Sequence, residues 1–181
     1  MYDHLEVKDR IIKVATDLFH KQGYSDTGIN QIIEEANIAK ASLYYHFATK
    51  DELCIAYLQQ RHRDWNSSLE SYIGRKRNKA LAAFDFLLDD NEQSDYRGCS
   101  FLNILPETSP DKKNIYREIQ SHKKALLLFF ENQLGGDKPE LAYAIYSLFE
   151  NAIIESQMHR SQEPVLKLKK IAASLIQNNS L

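Results

Sequence analysis

The spacing of apolar residues predicts helices along most of this chain. In residues 5–22, Ile11, Val14, Ala15 and Leu18 recur at intervals of three and four, which is the period of an amphipathic α-helix. Runs that alternate between apolar and polar residues, as strands require, are few. The pattern therefore predicts an all-α protein.

The same period and the helix-breaking residues between its runs predict the element boundaries. Gly23, Gly74 and the Gly135–Gly136 pair mark three of the breaks, and a polar loop is expected at Asp89–Asp95. Beside two short helices within residues 27–47, we expect helices over about 5–22, 50–72, 78–88, 111–134, 139–160 and 164–177.

Residues 27–47 are the most informative stretch, because they predict two short helices joined by a tight bend. Thr27 can cap the first helix through its hydroxyl oxygen. The apolar face of that helix is formed by Ile29, Ile32, Ile33 and Ala36. Asn37 tolerates the left-handed conformation that ends many helices, and Ile38 is placed to fill the bend.

The second short helix has one apolar edge, formed by Leu43 and Phe47, and the rest of its surface is polar, aromatic or small. Such a helix suits the major groove of DNA, since the early residues of a recognition helix meet base edges. Lys40 can donate to guanine or phosphate, and aromatic residues with polar tips can hold phosphates. The predicted DNA-contacting residues are Thr27, Lys40, Ala41, Ser42, Tyr44, Tyr45, His46 and Lys50.

Each of these residues also has an ordinary structural interpretation. Adjacent tyrosines at a helix end often serve packing, and a lone histidine often satisfies a neighbouring group. The combination is more specific than its parts. The segment Ile38–Phe47, followed by Thr49–Leu53, resembles the signature of the TetR family of bacterial transcriptional regulators.

The resemblance extends over residues 8–55, where Ala15, Leu18, Phe19, Gly23 and Tyr24 match the first helix and its Gly-Tyr turn. Two positions depart from the family pattern. Ala41 replaces a frequent glycine and brings a methyl group nearer the bases. Ala39 replaces a capping Ser or Thr, which weakens helix capping by about 1 kcal/mol at most.

The resemblance implies about nine helices in two domains. Residues 1–49 are expected to form a DNA-binding head of three helices with a helix-turn-helix, and residues 50–181 a helical bundle for ligand binding and dimerisation. The expected function is a transcriptional regulator, most simply a repressor, that binds a pseudo-palindromic operator as a homodimer. A small-molecule effector would release it by favouring a different spacing of the two heads.

The resemblance also implies a pocket in the body. The segment 97–103 is similar to the start of the sixth helix in some relatives. The residues predicted to line the pocket are mostly aromatic, although most aromatic residues of a bundle belong to its core. The predicted lining comprises Trp65, Phe84, Cys99, Phe101, Leu102, Tyr116, Phe129, Phe130, Tyr143 and Tyr146.

Helix 139–160 is apolar on more than one face, which favours burial on both sides. Paired with the last helix, it is expected to pack against its own copy in a four-helix interface. The alternative is the core of a monomer. The predicted interface residues are Leu141, Ile145, Leu148, Phe149, Ala152, Leu168, Ile171 and Leu175.

Composition narrows the class of protein without deciding it. The formal net charge is −2, so DNA binding cannot rest on bulk charge and has to depend on where Lys40 and Lys50 point. No stretch approaches the ~20 apolar residues of a membrane span. With no signal-peptide pattern and two cysteines, Cys54 and Cys99, a cytoplasmic protein without disulfides is expected.

Catalysis is not expected. The sequence offers no nucleophile–base pair, no phosphate-binding loop and no metal-ligand spacing, so we predict no enzyme activity, no metal and no cofactor. Basic residues cluster at Arg61, Arg63, Arg75, Lys76, Arg77 and Lys79. We interpret them as a solvated helix end and loop, with nonspecific DNA contact as the alternative.

Two further hypotheses concern the switch. Cys99 precedes a helix, whose dipole favours a thiolate, so it is a candidate sensor of electrophiles or oxidants, with Arg97 nearby. The alternative is a small buried residue. The second hypothesis is that the body of the protein binds a protein partner instead of a small ligand.

Overall fold

The computed structural model describes residues 6–179, which contain nine α-helices, one 3₁₀ turn and no strand. This confirms the all-α prediction. The helices are α1 (Val7–Gln22), α2 (Ile29–Glu35), α3 (Lys40–His46), α4 (Lys50–Ile73), α5 (Lys79–Gln93), α6 (Ser100–Ile104), α7 (Lys113–Gln133), α8 (Pro139–His159) and α9 (Glu163–Asn178), and the 3₁₀ turn is Leu105–Glu107. None of the helices in this range is both long and apolar enough to cross a bilayer.

Several boundaries follow the expected backbone signals. Gly23 ends α1 with a φ of +93°, and Asn37 stands between α2 and α3 with a φ of +50°. Pro139 occupies the first turn of α8, where the missing N–H of proline costs no helical hydrogen bond. The predicted start of the first helix at Leu5 lies outside the described residues.

The predicted polar loop at Asp89–Asp95 is wrong in its first part, because α5 continues to Gln93. Contacts distant in sequence stabilise this extension. The Asn91 side chain is buried, and its amide donates to Gln162 Oε1 at 3.4 Å. The Gln162 amide in turn donates to the Leu88 carbonyl at 2.7 Å. These polar residues can therefore extend the helix, since the N-cap residue of α9 supplies their partners.

The predicted cap at Thr27 is also wrong. Gly28 is the N-cap residue of α2, and no side chain caps that helix. Thr27 is fully buried and donates its hydroxyl hydrogen to the Gly23 carbonyl at 2.6 Å. Its side chain therefore closes the turn between α1 and α2.

Contacts divide the chain into two compact units, and α4 and α7 contribute residues to both. The first unit comprises the described part of Met1–Asp64 together with Ser100–Gln120. Here α1, α2 and α3 pack on one another. The Phe19 ring lies 5.7 Å from that of Tyr24 and 5.5 Å from that of Tyr57, so aromatic packing centres this unit.

The second unit comprises Trp65–Cys99 and the described part of Ser121–Leu181. Within it α8 packs against α9, and α5 packs against both. Phe149 is fully buried at the centre of its core, with its ring 5.2 Å from Phe84 and 5.4 Å from Phe130. The functional boundary expected at residue 49 remains a prediction.

Candidate nucleic-acid interface

Helix α3 has one buried edge and a solvent-facing surface. Leu43 and Phe47 are buried in the first unit, as predicted for the apolar edge. In contrast, the side chains of Tyr44 and Tyr45 are 46% and 85% exposed. Burial of a large aromatic side chain normally stabilises a protein. Such exposure, on a helix whose other edge is buried, therefore indicates a surface available for a partner.

The other predicted contact residues of this helix have mixed accessibility. Lys40 and Ala41 are exposed, whereas Ser42 and His46 are half-buried. The Tyr45 and His46 rings meet edge to face at 5.0 Å, so each restricts the other. Thr27 is buried, and its side chain is not accessible to DNA in this structure.

Two side-chain-to-backbone hydrogen bonds, arranged much as in a capping box, hold the junction between α3 and α4. Thr49 Oγ1 accepts from the Glu52 backbone N–H at 3.1 Å, and Glu52 Oε2 accepts from the Ala48 backbone N–H at 2.8 Å. The two bonds satisfy the backbone donors of Glu52, in the first turn of α4, and of Ala48, the residue before the N-cap. These bonds set where α4 begins after α3, and their sequence signal is Thr-x-x-Glu.

Lys50 is more engaged with the protein than predicted. Its ammonium donates to the Ser25 carbonyl at 3.4 Å and lies 4.3 Å from the centre of the Tyr24 ring. Burial, with a further contribution from the positive charge of Lys112, holds the pKa of Lys50 below its ordinary value. A role of this side chain in DNA binding requires that it leave these contacts.

A polar network joins Tyr24, Asp51 and Lys112. The Tyr24 hydroxyl donates to Asp51 Oδ1. The Lys112 ammonium donates to the same carboxylate oxygen at 2.7 Å and to the Tyr24 hydroxyl at 2.9 Å. Burial and the bond to Asp51 raise the pKa of Tyr24 to about 12. Although burial opposes it, bonding to Lys112 and Tyr24 lowers the pKa of Asp51.

Glu107 makes a second contact with the same part of the first unit. Its Oε2 accepts from the Ser25 backbone N–H at 2.6 Å. A Cβ atom added at Gly23 would stand 2.7 Å from Glu107 Oε1, so glycine there leaves room for the carboxylate. Sequence reasoning missed Glu107 and Lys112, because Ser25 and Glu107 are 82 residues apart and no local pattern links them.

The residues predicted to line a ligand pocket are divided between the units. Phe101, Leu102 and Tyr116 belong to the first, and the others belong to the second. Phe84 and Phe130 are fully buried in the core of the second unit, and Phe101 is buried in the first. Tyr143 is exposed. Half-buried positions are held by Trp65, Cys99, Leu102, Tyr116, Phe129 and Tyr146.

Cys99 lies beside an ion pair. The Lys123 ammonium donates to Cys99 Sγ at 3.4 Å and to the two Glu150 carboxylate oxygens at 2.6 and 2.9 Å. Burial disfavours the charge on Lys123, yet Cys99 and Glu150 outweigh it and raise the pKa of Lys123. By contrast, Cys54 is fully buried, and burial raises the pKa of its thiol to about 12.

The backbone before Cys99 is held from α8. The Gln157 amide donates to the Arg97 carbonyl at 3.0 Å. Gly98 has a φ of +72°, and a Cβ atom there would stand 2.2 Å from Gln157 Oε1. The glycine therefore serves both the left-handed backbone and the close approach of Gln157.

Helices α8 and α9 expose apolar side chains. Tyr143, Ile154 and Met158 are exposed on α8, and Leu166 and Ile171 on α9. Among the predicted interface residues, Ile171 is exposed, and Leu141, Leu148, Leu168 and Leu175 are half-buried. Ile145, Phe149 and Ala152 are instead fully buried within their own chain. Because α8 is apolar on more than one face, its sequence did not reveal which face points inward.

Together these features define an all-α protein that contains a helix-turn-helix and a helical bundle. The family model for bacterial regulatory proteins of the TetR family matches residues 11–57. The negative regulator IcaR of the icaADBC biofilm operon in Staphylococcus epidermidis is 47% identical over 138 residues, which are 71% of this chain and 67% of that protein. The chain belongs to the TetR family.

Two other comparisons extend this result. An uncharacterised helix-turn-helix regulator from Lactococcus lactis is 30% identical over 114 residues, 60% of this chain. The match spans 58% of that relative's length, less than two thirds. The crystal structure of SCO4454, a TetR-family regulator from Streptomyces coelicolor, superposes with a TM-score of 0.82 at 24% identity, covering 97% of this chain and 90% of that one. This similarity shows the fold.

Proposed function

We propose that this chain is a DNA-binding transcriptional regulator that represses its target genes. The observation that carries the proposal is the 85% exposure of Tyr45 on a helix whose opposite edge is buried. Lys40, Ala41, Ser42, Tyr44 and His46 share this helix with it. A rigid helix that offers cationic, hydroxyl and aromatic groups to solvent suits the major groove.

Repression is the favoured direction of regulation, because the relative IcaR is named as a negative regulator. We further propose that a small-molecule effector, bound in the body of the protein, releases the repressor from DNA. Release follows if the effector favours a conformation in which the two heads no longer fit successive major grooves.

The proposed regulator acts as a homodimer through α8 and α9. Tyr143, Ile154 and Met158 lie at helical spacing along one side of α8 and are exposed, as is Ile171 on α9. An exposed apolar surface of this kind typically marks a protein interface. Because Ile145, Phe149 and Ala152 are buried in the chain's own core, we replace them in the proposed interface by these exposed residues.

The decisive experiment measures binding of the full chain to duplex DNA from its own upstream region by fluorescence anisotropy. We expect Lys40→Ala and Tyr45→Ala each to weaken binding by about tenfold, as the loss of one good contact does. The matched control is Lys21→Ala, which removes an exposed charge from α1. Unchanged affinity in both recognition-helix variants, with unchanged stability, would reject α3 as the reading helix.

A second candidate function is a thiol-based switch at Cys99. The observation that favours it is the Lys123 ammonium 3.4 Å from Cys99 Sγ. The ammonium holds a hydrogen-bond donor against the sulfur, which is the nucleophilic atom of cysteine. An α,β-unsaturated carbonyl compound would add to the sulfur: the S–C bond forms as the C=C π bond breaks, and the thiol proton passes to the carbon beside the carbonyl. Such an adduct would disturb the Lys123–Glu150 pair, which is mostly buried.

A further inference from the structure

We propose that a pocket at the N-terminal end of α5 binds small organic anions. The pocket has a volume of about 350 Å³ and lies within the second unit. Its walls come from the start of α5, the end of α7, the start of α8 and the end of α9. The volume is near the lower end for small-molecule sites, so it suits a compact ligand.

The charge of the lining selects for anions. Four lining residues, Lys76, Arg77, Lys79 and Lys138, are cationic, and none of the lining residues is Asp or Glu. Lys138 donates to the Asn179 carbonyl at 2.5 Å, and Lys76 lies 5.6 Å from the centre of the Tyr72 ring. Within residues 6–179, the ion pairs of the second unit involve other cations. The pocket therefore concentrates positive potential.

The helix end adds to this potential. Asn78 caps α5 by accepting from the Leu81 backbone N–H at 3.0 Å. The backbone N–H groups of Lys79 and Ala80 belong to the first turn, where the dipole of a 15-residue helix favours a negative charge. Because Lys79 lines the pocket, an anionic group there would lie near side-chain cations and the positive end of the helix dipole together.

The apolar part of the pocket wall indicates which chemical group the anion should have attached to it. Leu134, Leu141 and Ile176 contribute apolar surface to the same pocket. We therefore expect a phosphate monoester or a carboxylate joined to a small apolar body, bound more tightly than inorganic phosphate. The proposal is independent of DNA binding by α3. It assigns a role to the basic residues Lys76, Arg77 and Lys79, which were predicted to be solvated.

The test uses the full chain and phenyl phosphate as the probe, with inorganic phosphate and neutral benzyl alcohol for comparison. In a titration followed by backbone amide NMR, phenyl phosphate should bind saturably and shift the Lys79 and Ala80 signals. Inorganic phosphate should bind more weakly, and benzyl alcohol should leave these amides unshifted. The double variant Arg77→Ala/Lys79→Ala should bind phenyl phosphate at least about tenfold more weakly, since charge-assisted hydrogen bonds are lost.

The control variant Lys124→Ala/Lys170→Ala removes two exposed charges from α7 and α9, outside the pocket lining. It should retain wild-type affinity for phenyl phosphate. Equal weakening in both double variants would attribute binding to overall charge and overturn the proposal. Absence of saturable binding would overturn it too. Displacement of phenyl phosphate from the Lys79 amide by random-sequence duplex DNA would assign the patch to nucleic acid instead.

Discussion

The Glu107 carboxylate accepts a hydrogen bond from the Ser25 backbone N–H at 2.6 Å. This contact joins the segment before α7 to the turn between α1 and α2. Five residues after Glu107, Lys112 binds Asp51 and Tyr24. Within the first unit, residues 105–112 therefore contact the α1–α2 turn and the first turn of α4. A displacement of this segment would act directly on the α1–α2 turn.

Replacing Glu107 by alanine should lower the free energy of unfolding by about 1 kcal/mol, the usual net contribution of one partly exposed hydrogen bond. Urea denaturation of the two proteins at neutral pH measures the difference. Glu34→Ala, which removes an exposed carboxylate from α2, is the control. A Glu107 variant as stable as this control would show that the contact contributes nothing to the fold.

The contribution of the Tyr24 network to the free energy of unfolding should depend on pH in the alkaline range. The pKa of Tyr24 is raised from 10.0 to about 12, so the folded state holds this proton more tightly than the unfolded state. The resulting stabilisation is complete below pH 10 and is lost as the pH rises toward 12. We expect Tyr24→Phe to lose less stability than wild type over this interval in urea titrations. If the two proteins lost equal stability between pH 10 and pH 12, the raised pKa of Tyr24 would be contradicted.

Truncating Phe149 to alanine should cost about 3–5 kcal/mol, as the loss of a large core ring does. The ring contacts Phe84, Phe130 and Trp65, so a cavity would open among aromatic neighbours. Thermal or urea unfolding should show this loss at every protein concentration. If the Phe149→Ala variant instead lost self-association at unchanged stability, Phe149 would belong to the dimer interface and not to the core.

Phe149 also illustrates what sequence patterns can predict. A period of three and four identified the helices, and Leu43 and Phe47 were assigned correctly to a buried edge because their helix is otherwise polar. Asn37 was assigned correctly to a left-handed bend because few residues adopt that conformation. In α8 nearly every face is apolar, so the period could not separate Phe149 in the core from Ile154 at the surface.

Other features depend on residues far apart in sequence. Asp89–Gln93 resembles a loop locally, and it is helical because Gln162 supplies hydrogen bonds to that end of α5. The Lys112–Asp51 pair joins residues 61 positions apart. Local propensity contains no information on such partners, so tertiary contacts overrode it.

The proposed dimer predicts a change of oligomeric state. Ile154→Glu combined with Met158→Glu places two charges on the exposed face of α8, where the native residues are 46% and 62% exposed. We expect a folded monomer by sedimentation velocity, with weakened binding to a pseudo-palindromic operator, because two linked heads gain affinity from each other.

Leu128→Glu is the matched control for that experiment. Leu128 is also exposed, but it lies on α7, so this variant should associate as wild type does. Wild-type association of the α8 double variant would remove this face from the interface. A wild-type chain that is monomeric at all concentrations would reject the dimer itself.

The two cysteines should react differently with iodoacetamide. Cys99 is half-buried beside Lys123, and Cys54 is fully buried with a thiol pKa of about 12. We expect native protein to gain one carbamidomethyl group, at Cys99, as located by peptide mass spectrometry. Replacing the cation alone, as in Lys123→Met, should slow this reaction several-fold, since the donor beside Sγ is removed.

The functional part of this prediction concerns DNA release. If Cys99 is the switch, its alkylation should weaken operator binding, and Cys99→Ser should make binding insensitive to the reagent. Cys54→Ser should respond as wild type does. Equal affinity before and after complete modification of Cys99 would leave the small-molecule effector as the proposed signal.

The close approach of Gly98 and Gln157 implies that these two positions evolve together. A side chain at residue 98 would occupy the place of the Gln157 amide, which secures the carbonyl just before it. Homologues that carry a larger residue at 98 should therefore have a shorter one at 157, together with a rerouted backbone ahead of the thiol. An alignment of full-length relatives can reveal that covariation without any biochemical assay.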